Sequence, residues 1–184
     1  MKFKSFFFCF ALLSAVLLFA QCAQTTSGTA ASANVNKPIP AELKNSDLYK
    51  NFVGKKELVN FKVTDLPKSD FSLVYVAVPK DNPIGTDPAE VNAAMMFVFN
   101  NKSKQADAEK TKKINADLKS SSDDAQNCGG LASLDLNSFV ANQGFVHLDQ
   151  FFAPGMERTT CMTKIVWDEK KSEIVVQRIQ TVTE

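Results

Sequence analysis

The sequence predicts an α+β fold, in which a mainly antiparallel sheet of about six or seven strands packs against one principal helix at residues 103–120. Short runs of β-branched and aromatic residues recur between prolines and glycines, as in strands separated by turns. One stretch alone has the composition of a long helix, and the connections after it are short, which favours an antiparallel meander. A β-sandwich or a barrel with one helix is the alternative.

The chain begins with an export signal. Two lysines in the first four residues precede an apolar run over residues 6–20, which only Ser14 interrupts. A basic start followed by roughly 7–15 apolar residues is typical of a secretory signal peptide. The run is also shorter than the about 20 apolar residues that a membrane-spanning helix needs. An uncleaved anchor helix is the alternative.

The end of this leader, Leu18-Phe19-Ala20-Gln21-Cys22, resembles the lipobox of bacterial lipoproteins. Gln21 stands where a small residue is usual, a departure that the looser box of spirochaete lipoproteins tolerates. The resemblance implies cleavage before Cys22, whose sulfur and new amino group would then carry acyl chains such as palmitate. Because Ala23 rather than an Asp follows, it also implies transport to the outer membrane. Ordinary cleavage, giving a secreted or periplasmic protein, is the alternative.

The leader and the residues after it divide the chain into three predicted parts. Residues 1–21 are the signal peptide. Residues 22–45 form the lipidated cysteine and a flexible tether, because their small polar side chains bury too little apolar surface to become ordered. Residues 46–184 form a single globular domain of ordinary size.

The formal charge gives no reason to expect a nucleic-acid partner. The chain has 21 basic and 20 acidic residues, and removing Lys2 and Lys4 with the leader leaves 19 against 20, a charge of −1. No strong field therefore attracts polyanions. The sequence predicts attachment to a membrane through the N-terminal lipid and an unidentified protein partner.

Two of the four cysteines remain in the predicted domain. Cys9 leaves with the leader and Cys22 is the lipid site, so Cys128 and Cys161 remain, which in an oxidising compartment predicts a disulfide bond. Two free thiols or half of a metal site are the alternatives. Structural zinc needs four ligands and the chain has a single histidine, so we expect neither a metal nor a cofactor.

In the first half of the domain, the pattern predicts one short helix and three strands. Ser46–Val53 is a helix with Ser46 as its N-cap and Gly54 after its end. Leu58–Val63 alternates as a strand. Phe71–Val78 is β-branched and aromatic on both faces, which predicts a central strand covered on both sides. The residues before Met95 favour a helical turn, and Met95–Asn100, which also has helical features, is assigned as a strand.

In the second half, the principal helix precedes extended segments. On the helix, Thr111, Ile114 and Leu118 form a thin apolar stripe. After it, Leu131–Val140 and Gly144–Phe152 are predicted to be extended. The chain ends in a hairpin of two strands, Thr159–Trp167 and Glu173–Val182. Period two places the following residues on one face of the first hairpin strand: Cys161, Thr163, Ile165 and Trp167.

Two groups of side chains are candidates for a functional site. His147 and Asp149 share a face of a predicted strand, so they could act as a base and the group that orients it. No nucleophile motif accompanies them. A cluster of four phenylalanines, which core packing would also explain, could line an apolar cleft: Phe139, Phe145, Phe151 and Phe152.

Three functions fit these features. The sequence favours a non-enzymatic, membrane-anchored envelope lipoprotein of the outer membrane that acts as a binding or structural module. A periplasmic carrier or sensor of a small apolar ligand is the first alternative, and it predicts a closed cavity. A hydrolase using His147 and Asp149 is the second, and it requires a Ser, Thr or Cys within hydrogen-bond reach of the imidazole.

Overall fold

The computed structural model describes residues 37–55, 60–79, 91–123, 130–152 and 159–183. They belong to one compact unit, and their strands form two four-stranded antiparallel sheets, ordered β1-β2-β3-β4 and β5-β6-β7-β8. In chain order the elements are α1 (Ala41–Asn45), α2 (Asp47–Val53), β1 (Asn60–Asp65), β2 (Phe71–Pro79), β3 (Val91–Asn100), β4 (Gln105–Ala106), α3 (Ala108–Asp123), β5 (Val140–Asn142), β6 (Phe145–Phe152), β7 (Thr159–Asp168) and β8 (Glu173–Thr183).

The described residues confirm a sheet-rich fold with a helix, but the predicted single sheet of six or seven strands is wrong. They contain eight strands in two open sheets rather than a closed barrel. The count differs because β4 and β5 have two and three residues, too few for an alternating pattern. Part of the predicted extended segment Leu131–Val140 is instead a 3₁₀ turn at Leu131–Ser133, followed by a bend before β5.

The central strand of the first sheet is β2, as predicted. It lies between β1 and β3, and every side chain from Phe71 to Val78 is buried. Leu73 and Tyr75 face a core shared with the second sheet, whereas Val74 and Val76 face a separate core. Apolar residues on both faces therefore correspond to two cores, one on each side of the sheet.

The separate core is covered by α1 and α2. Ser46 accepts a hydrogen bond from the Tyr49 amide at 3.3 Å, which confirms the predicted N-cap of α2. The predicted tether, however, extends too far: residues 41–45 are helical and Leu43 is fully buried. Ile39 is buried with it, because these two apolar side chains close the face of the sheet that α2 leaves open.

The principal helix begins later than predicted. Instead of starting at residue 103, the chain turns, adds β4 to the edge of β3, and enters α3 at Ala108. Asp107 is the reason, since its carboxylate accepts a hydrogen bond from the Lys110 amide at 2.9 Å, as an N-cap does. The apolar stripe is confirmed, because its three members are all buried: Thr111, Ile114 and Leu118.

The strand β3 begins four residues before the predicted Met95. The helical turn expected there is wrong for residues 91–94, which pair with the end of β2. Ala94 lies opposite Ala77 and Ala93 opposite Val78, so sheet pairing overrides the helical preference of alanine. The helical turn was expected to begin at residues 87–90, which lie outside the described residues.

The second sheet carries the predicted hairpin, in which β7 pairs with β8 from Asp168 and Glu173 back to Thr159 and Thr183. One face of β7 is buried as predicted, with Cys161, Thr163 and Ile165 fully buried. This face, one face of the first sheet and α3 enclose the shared core. The helix thus bridges β3 and β8, the strands of different sheets that it contacts.

Polar side chains of the first sheet donate hydrogen bonds to backbone carbonyls in the segment between α3 and β6. Lys62 is one of the polar residues in the alternating pattern of β1, yet it is buried and its ammonium donates to the Leu136 carbonyl at 2.5 Å. The Thr64 hydroxyl donates to the Phe139 carbonyl at 3.3 Å, and the Tyr75 hydroxyl to the Leu131 carbonyl at 3.2 Å. These bonds connect the segment before β5 to the first sheet and satisfy the buried donors.

Candidate functional site

A solvent-open cleft of about 560 Å³ lies at one end of the described fold. Four parts of the chain meet there: the β1–β2 turn, the end of β3, the start of α3 and the β7–β8 turn. The volume falls within the roughly 300–1,000 Å³ typical of ligand sites. The cleft is lined by Lys68, Ser69, Asp70, Phe71, Asn100, Lys110, Trp167 and Ser172.

The apolar part of the cleft is an aromatic pair. The rings of Phe71 and Trp167, the only tryptophan of the chain, have centroids 5.2 Å apart and planes inclined by 46°. The Lys110 ammonium lies 5.2 Å from the centre of the Phe71 ring, within range of a cation–π interaction. Phe71 is almost fully buried, so it supports the indole from below and fixes its position.

Several polar side chains of the cleft are already bonded within the protein. The Ser69 hydroxyl donates to the Leu66 carbonyl at 2.8 Å and accepts from the Phe71 amide at 3.1 Å. The Asn100 side-chain oxygen Oδ1 accepts from the Lys102 and Ser103 amides, and Lys110 contacts the Asp107 carboxylate at 3.0 Å. These bonds shape the walls of the cleft rather than offering partners to a ligand.

Other polar groups of the cleft make no side-chain bond within the described residues. They are the Lys68 ammonium, the Asp70 carboxylate and the Ser172 hydroxyl. Lys68 and Ser172 also have positive φ angles, 61° and 52°, in a region that non-glycine residues seldom adopt. Two turns thus hold donors and an acceptor at the mouth of the cleft, and such φ angles are common in hairpin turns, as at Lys104 outside the cleft lining.

A second cavity of about 300 Å³ adjoins the first along α3. The two share Lys110 and Ser172, and the floor of the second is formed by Ile114 and Ile174. Its rim carries charges of both signs: Glu109, Lys110, Lys113 and Glu173. Together the cavities form a continuous groove between α3 and the final hairpin.

His147 and Asp149 lie on one face of β6, as predicted, with Nε2 2.8 Å from Oδ1. Their register neighbours on β7 are Lys164 and Met162, so no hydroxyl or thiol faces them across the strand pair. The nearest serine in the hydrogen-bond network, Ser138, donates to the Asp135 carbonyl and accepts from the Asp149 amide. Within the described residues, no Ser, Thr or Cys hydrogen bonds the imidazole.

The predicted phenylalanine cluster does not form a cleft. Phe139 is fully buried in the shared core. Phe145 and Phe151 lie on the face of β6 opposite the core residues Val146 and Leu148, because strand side chains alternate. The side chain of Phe152 lies outside the described part of the structure.

The cysteine predictions fall mainly outside the described residues. Cys161 is fully buried on the core face of β7, whereas Cys22 and Cys128 lie in undescribed segments. The disulfide bond and the lipid site therefore stay predictions. In the described segments, no three His, Cys, Asp or Glu residues are grouped as metal ligands, and no helix is long and apolar enough to cross a membrane.

Sequence patterns did not indicate the cleft. Phe71 and Trp167 belong to different sheets, and both fit the description of ordinary strand residues. The available signal was a lone tryptophan at the end of a predicted hairpin, which the periodicity assigned to a core face. No protein-family model, curated protein or solved structure matches this chain, so the cleft is interpreted from its own geometry.

Proposed function

We propose that this protein is a non-enzymatic binding module of the bacterial cell envelope, anchored in the outer membrane through a lipid on Cys22. Its binding site is the cleft of about 560 Å³ that Trp167 lines, called the Trp167 cleft below. The proposal combines the lipobox-like leader with a cleft that has the size of a ligand site and an aromatic and polar lining. The Cys128–Cys161 disulfide belongs to the same proposal, because an exported domain experiences oxidising conditions.

The observation that carries the proposal is the Trp167–Phe71 pair beside uncommitted polar groups. A partly exposed indole, fixed by a buried ring below it, supplies contact area with little loss of side-chain freedom on binding. The polar groups at the mouth can orient what binds, since Lys68, Asp70 and Ser172 are not used within the described fold. Such a combination is typical of recognition sites.

The two alternatives from the sequence find less support. A carrier of an apolar ligand requires a closed cavity, whereas both cavities of the groove open to solvent. A hydrolase requires a nucleophile beside His147, and the nearby Ser138 hydroxyl is bonded to the backbone instead.

Site-specific photo-crosslinking in intact cells tests the proposal. A photoreactive residue replaces Ser172 in the cleft, and in a second strain it replaces Gln177, an exposed position on β8 that lies away from the groove. We expect an adduct, detected by mass spectrometry, from position 172 and none from position 177. Adducts from position 177 alone, or from neither position, would contradict a binding role for the cleft.

A further inference from the structure

We propose that the ligand of the Trp167 cleft is a saccharide, bound through an uncharged pyranose ring. This inference rests on the proposed binding role of the cleft and specifies the class of ligand. It follows from three features of the lining: an aromatic platform, a mixed set of hydrogen-bonding groups, and a balance of charge.

The aromatic platform suits one face of a sugar ring. A pyranose has axial C–H groups on its faces, and these carry a small positive charge that is attracted to the electron-rich face of an aromatic ring. Trp167 supplies the larger surface and Phe71 holds it in place from 5.2 Å. A purely polar ligand would gain nothing from this pair.

The uncommitted groups suit the edge of a sugar ring. Lys68 is a donor, Asp70 an acceptor, and Ser172 can act as either. Ring hydroxyls donate and accept, so a pyranose offers partners of the kind that each of the three groups needs. An apolar ligand would desolvate them without supplying partners, which is unfavourable.

The charges around the cleft are balanced, which argues against a strongly anionic ligand. Lys68 stands with Asp70 at the mouth, and Lys110 is neutralised by Asp107 at 3.0 Å. Along α3, Lys113 is paired with Asp117 at 2.7 Å. A phosphate or polyanion would therefore meet a carboxylate for each cation that attracts it.

The second cavity gives the site room for more than one ring. It continues the groove past Lys110 and Ser172, and its floor of Ile114 and Ile174 is apolar. A linear disaccharide that stacks on Trp167 would place its second ring over this floor. We therefore expect disaccharides to bind more tightly than single methyl glycosides.

Tryptophan fluorescence tests this inference, because the single tryptophan lies in the proposed site. The mature protein, in a detergent without sugar groups, is titrated with methyl pyranosides of glucose, galactose, mannose and N-acetylglucosamine and with their disaccharides. Sugar phosphates and short peptides form the comparison set. We expect a saturable change with at least one uncharged sugar, and calorimetry should give the same dissociation constant.

Variants connect the signal to the cleft. Asp70→Asn removes the acceptor charge at the mouth and should raise the dissociation constant about tenfold, equivalent to about 1.4 kcal/mol. Glu42→Gln, an exposed acid on α1, is the matched control and should bind as the wild type does. Trp167→Ala should abolish binding by calorimetry, whereas Phe61→Ala, a partly exposed aromatic on β1, should not.

The outcomes separate this inference from the proposed function. Saturation by sugar phosphates or peptides, but not by uncharged sugars, would overturn the saccharide class while leaving the cleft as a binding site. Equal affinity of the wild type and Asp70→Asn for a sugar would also overturn it. Failure of the binding role itself would instead appear as a lack of cleft adducts in the crosslinking experiment.

Discussion

Tyr75 and Lys62 are polar residues in a position that ordinarily holds apolar ones, between two sheets. Burial raises the pKa of Tyr75 to about 12, since the phenolate would lose its hydration. Burial also lowers the pKa of Lys62, and the nearby Asp135 carboxylate offsets only part of this effect. Each side chain donates a hydrogen bond to a backbone carbonyl, so the buried donor is satisfied.

Replacing Tyr75 by Phe should lower the free energy of unfolding by about 1 kcal/mol at neutral pH, because one hydrogen bond to Leu131 is lost. The difference should depend on pH. In the wild type the raised pKa contributes stability that is fully present below pH 10 and is lost as pH rises towards about 12. Urea unfolding of both proteins across this range should show the gap closing and then reversing, because a pKa raised from 10 to about 12 outweighs a gap of about 1 kcal/mol. A gap that stays constant would mean that the hydroxyl is not buried as described.

At the residue scale, hydrogen bonds between residues close together in the sequence were predictable. Hydrogen bonds between distant segments were not. The N-cap Ser46 was predictable because its bond to the Tyr49 amide lies within one helical turn. The burial of Lys62 was not, because its partner Leu136 is 74 residues away in the sequence, in the turn before β5. The alternating pattern of β1 shows which residues share a face of the strand, but not which other segment covers that face.

At the element scale, α3 caps a strand edge that would otherwise be exposed. Beyond the short β4, the outer side of β3 is paired by side chains of the helix rather than by another strand. Asn115 accepts from the Met96 amide at 3.0 Å and donates to the Met96 carbonyl at 2.7 Å, and Thr111 accepts from the Val98 amide at 2.9 Å. An amide side chain thus reproduces the pairing of a neighbouring strand and protects the edge.

Replacing Asn115 by Ala should lower the free energy of unfolding by about 2 kcal/mol, because a buried N–H and C=O of Met96 lose their partners. Asn115→Asp should destabilise at least as much, because it places a carboxylate oxygen against the Met96 and Thr111 carbonyls, to which the amide donates at 2.7 and 2.6 Å. Lys112→Ala, on the exposed side of the same helix, is the control and should change stability by less than about 0.5 kcal/mol. Denaturant unfolding measures all three, and equal effects of Asn115→Ala and Lys112→Ala would contradict the edge-capping role.

Long elements with a clear period were predictable, and short ones were not. The strand β2 agrees with its apolar pattern because it is buried on both faces over eight residues, and β7 agrees because alternate residues from Thr159 to Ile165 are buried. The helix α1 has five residues and follows two prolines, so its local sequence favours a linker and only the burial of Leu43 orders it. The start of α3 was misplaced although Asp107 is a preferred N-cap residue, because Ser103 offers the same kind of cap four residues earlier.

At the scale of the whole molecule, the cleft exists because two sheets and a helix meet at one end of a shared core. Phe71 comes from the first sheet, Trp167 from the second, and Lys110 from the helix that bridges them. No single segment carries the site, so the sequence could predict that the domain binds something without indicating where. The stability of the cleft therefore depends on how firmly the two halves are held together.

The predicted Cys128–Cys161 bond would strengthen that connection. Breaking it with Cys128→Ala should reduce the free energy of unfolding by about 3–4 kcal/mol in the chain-entropy model. Cys161 is left unchanged in this test, because its fully buried side chain would make any substitution disturb the core. Reduced wild type should match the variant, and peptide mapping without reductant should recover the linked pair. Alkylation of both thiols in the unreduced native protein would contradict the bond.

The proposed envelope function depends on the lipid anchor, because a protein without it would be secreted or periplasmic. One lipid chain gives only marginal attachment, whereas several give a stable one. Mass spectrometry of the mature N-terminus is therefore the most direct test. We predict that the chain begins at Cys22 with a diacylglyceryl group on sulfur and an acyl group on nitrogen, and that Cys22→Ala leaves the protein unacylated. An unmodified N-terminal peptide that starts at another residue would contradict the membrane-anchored binding module.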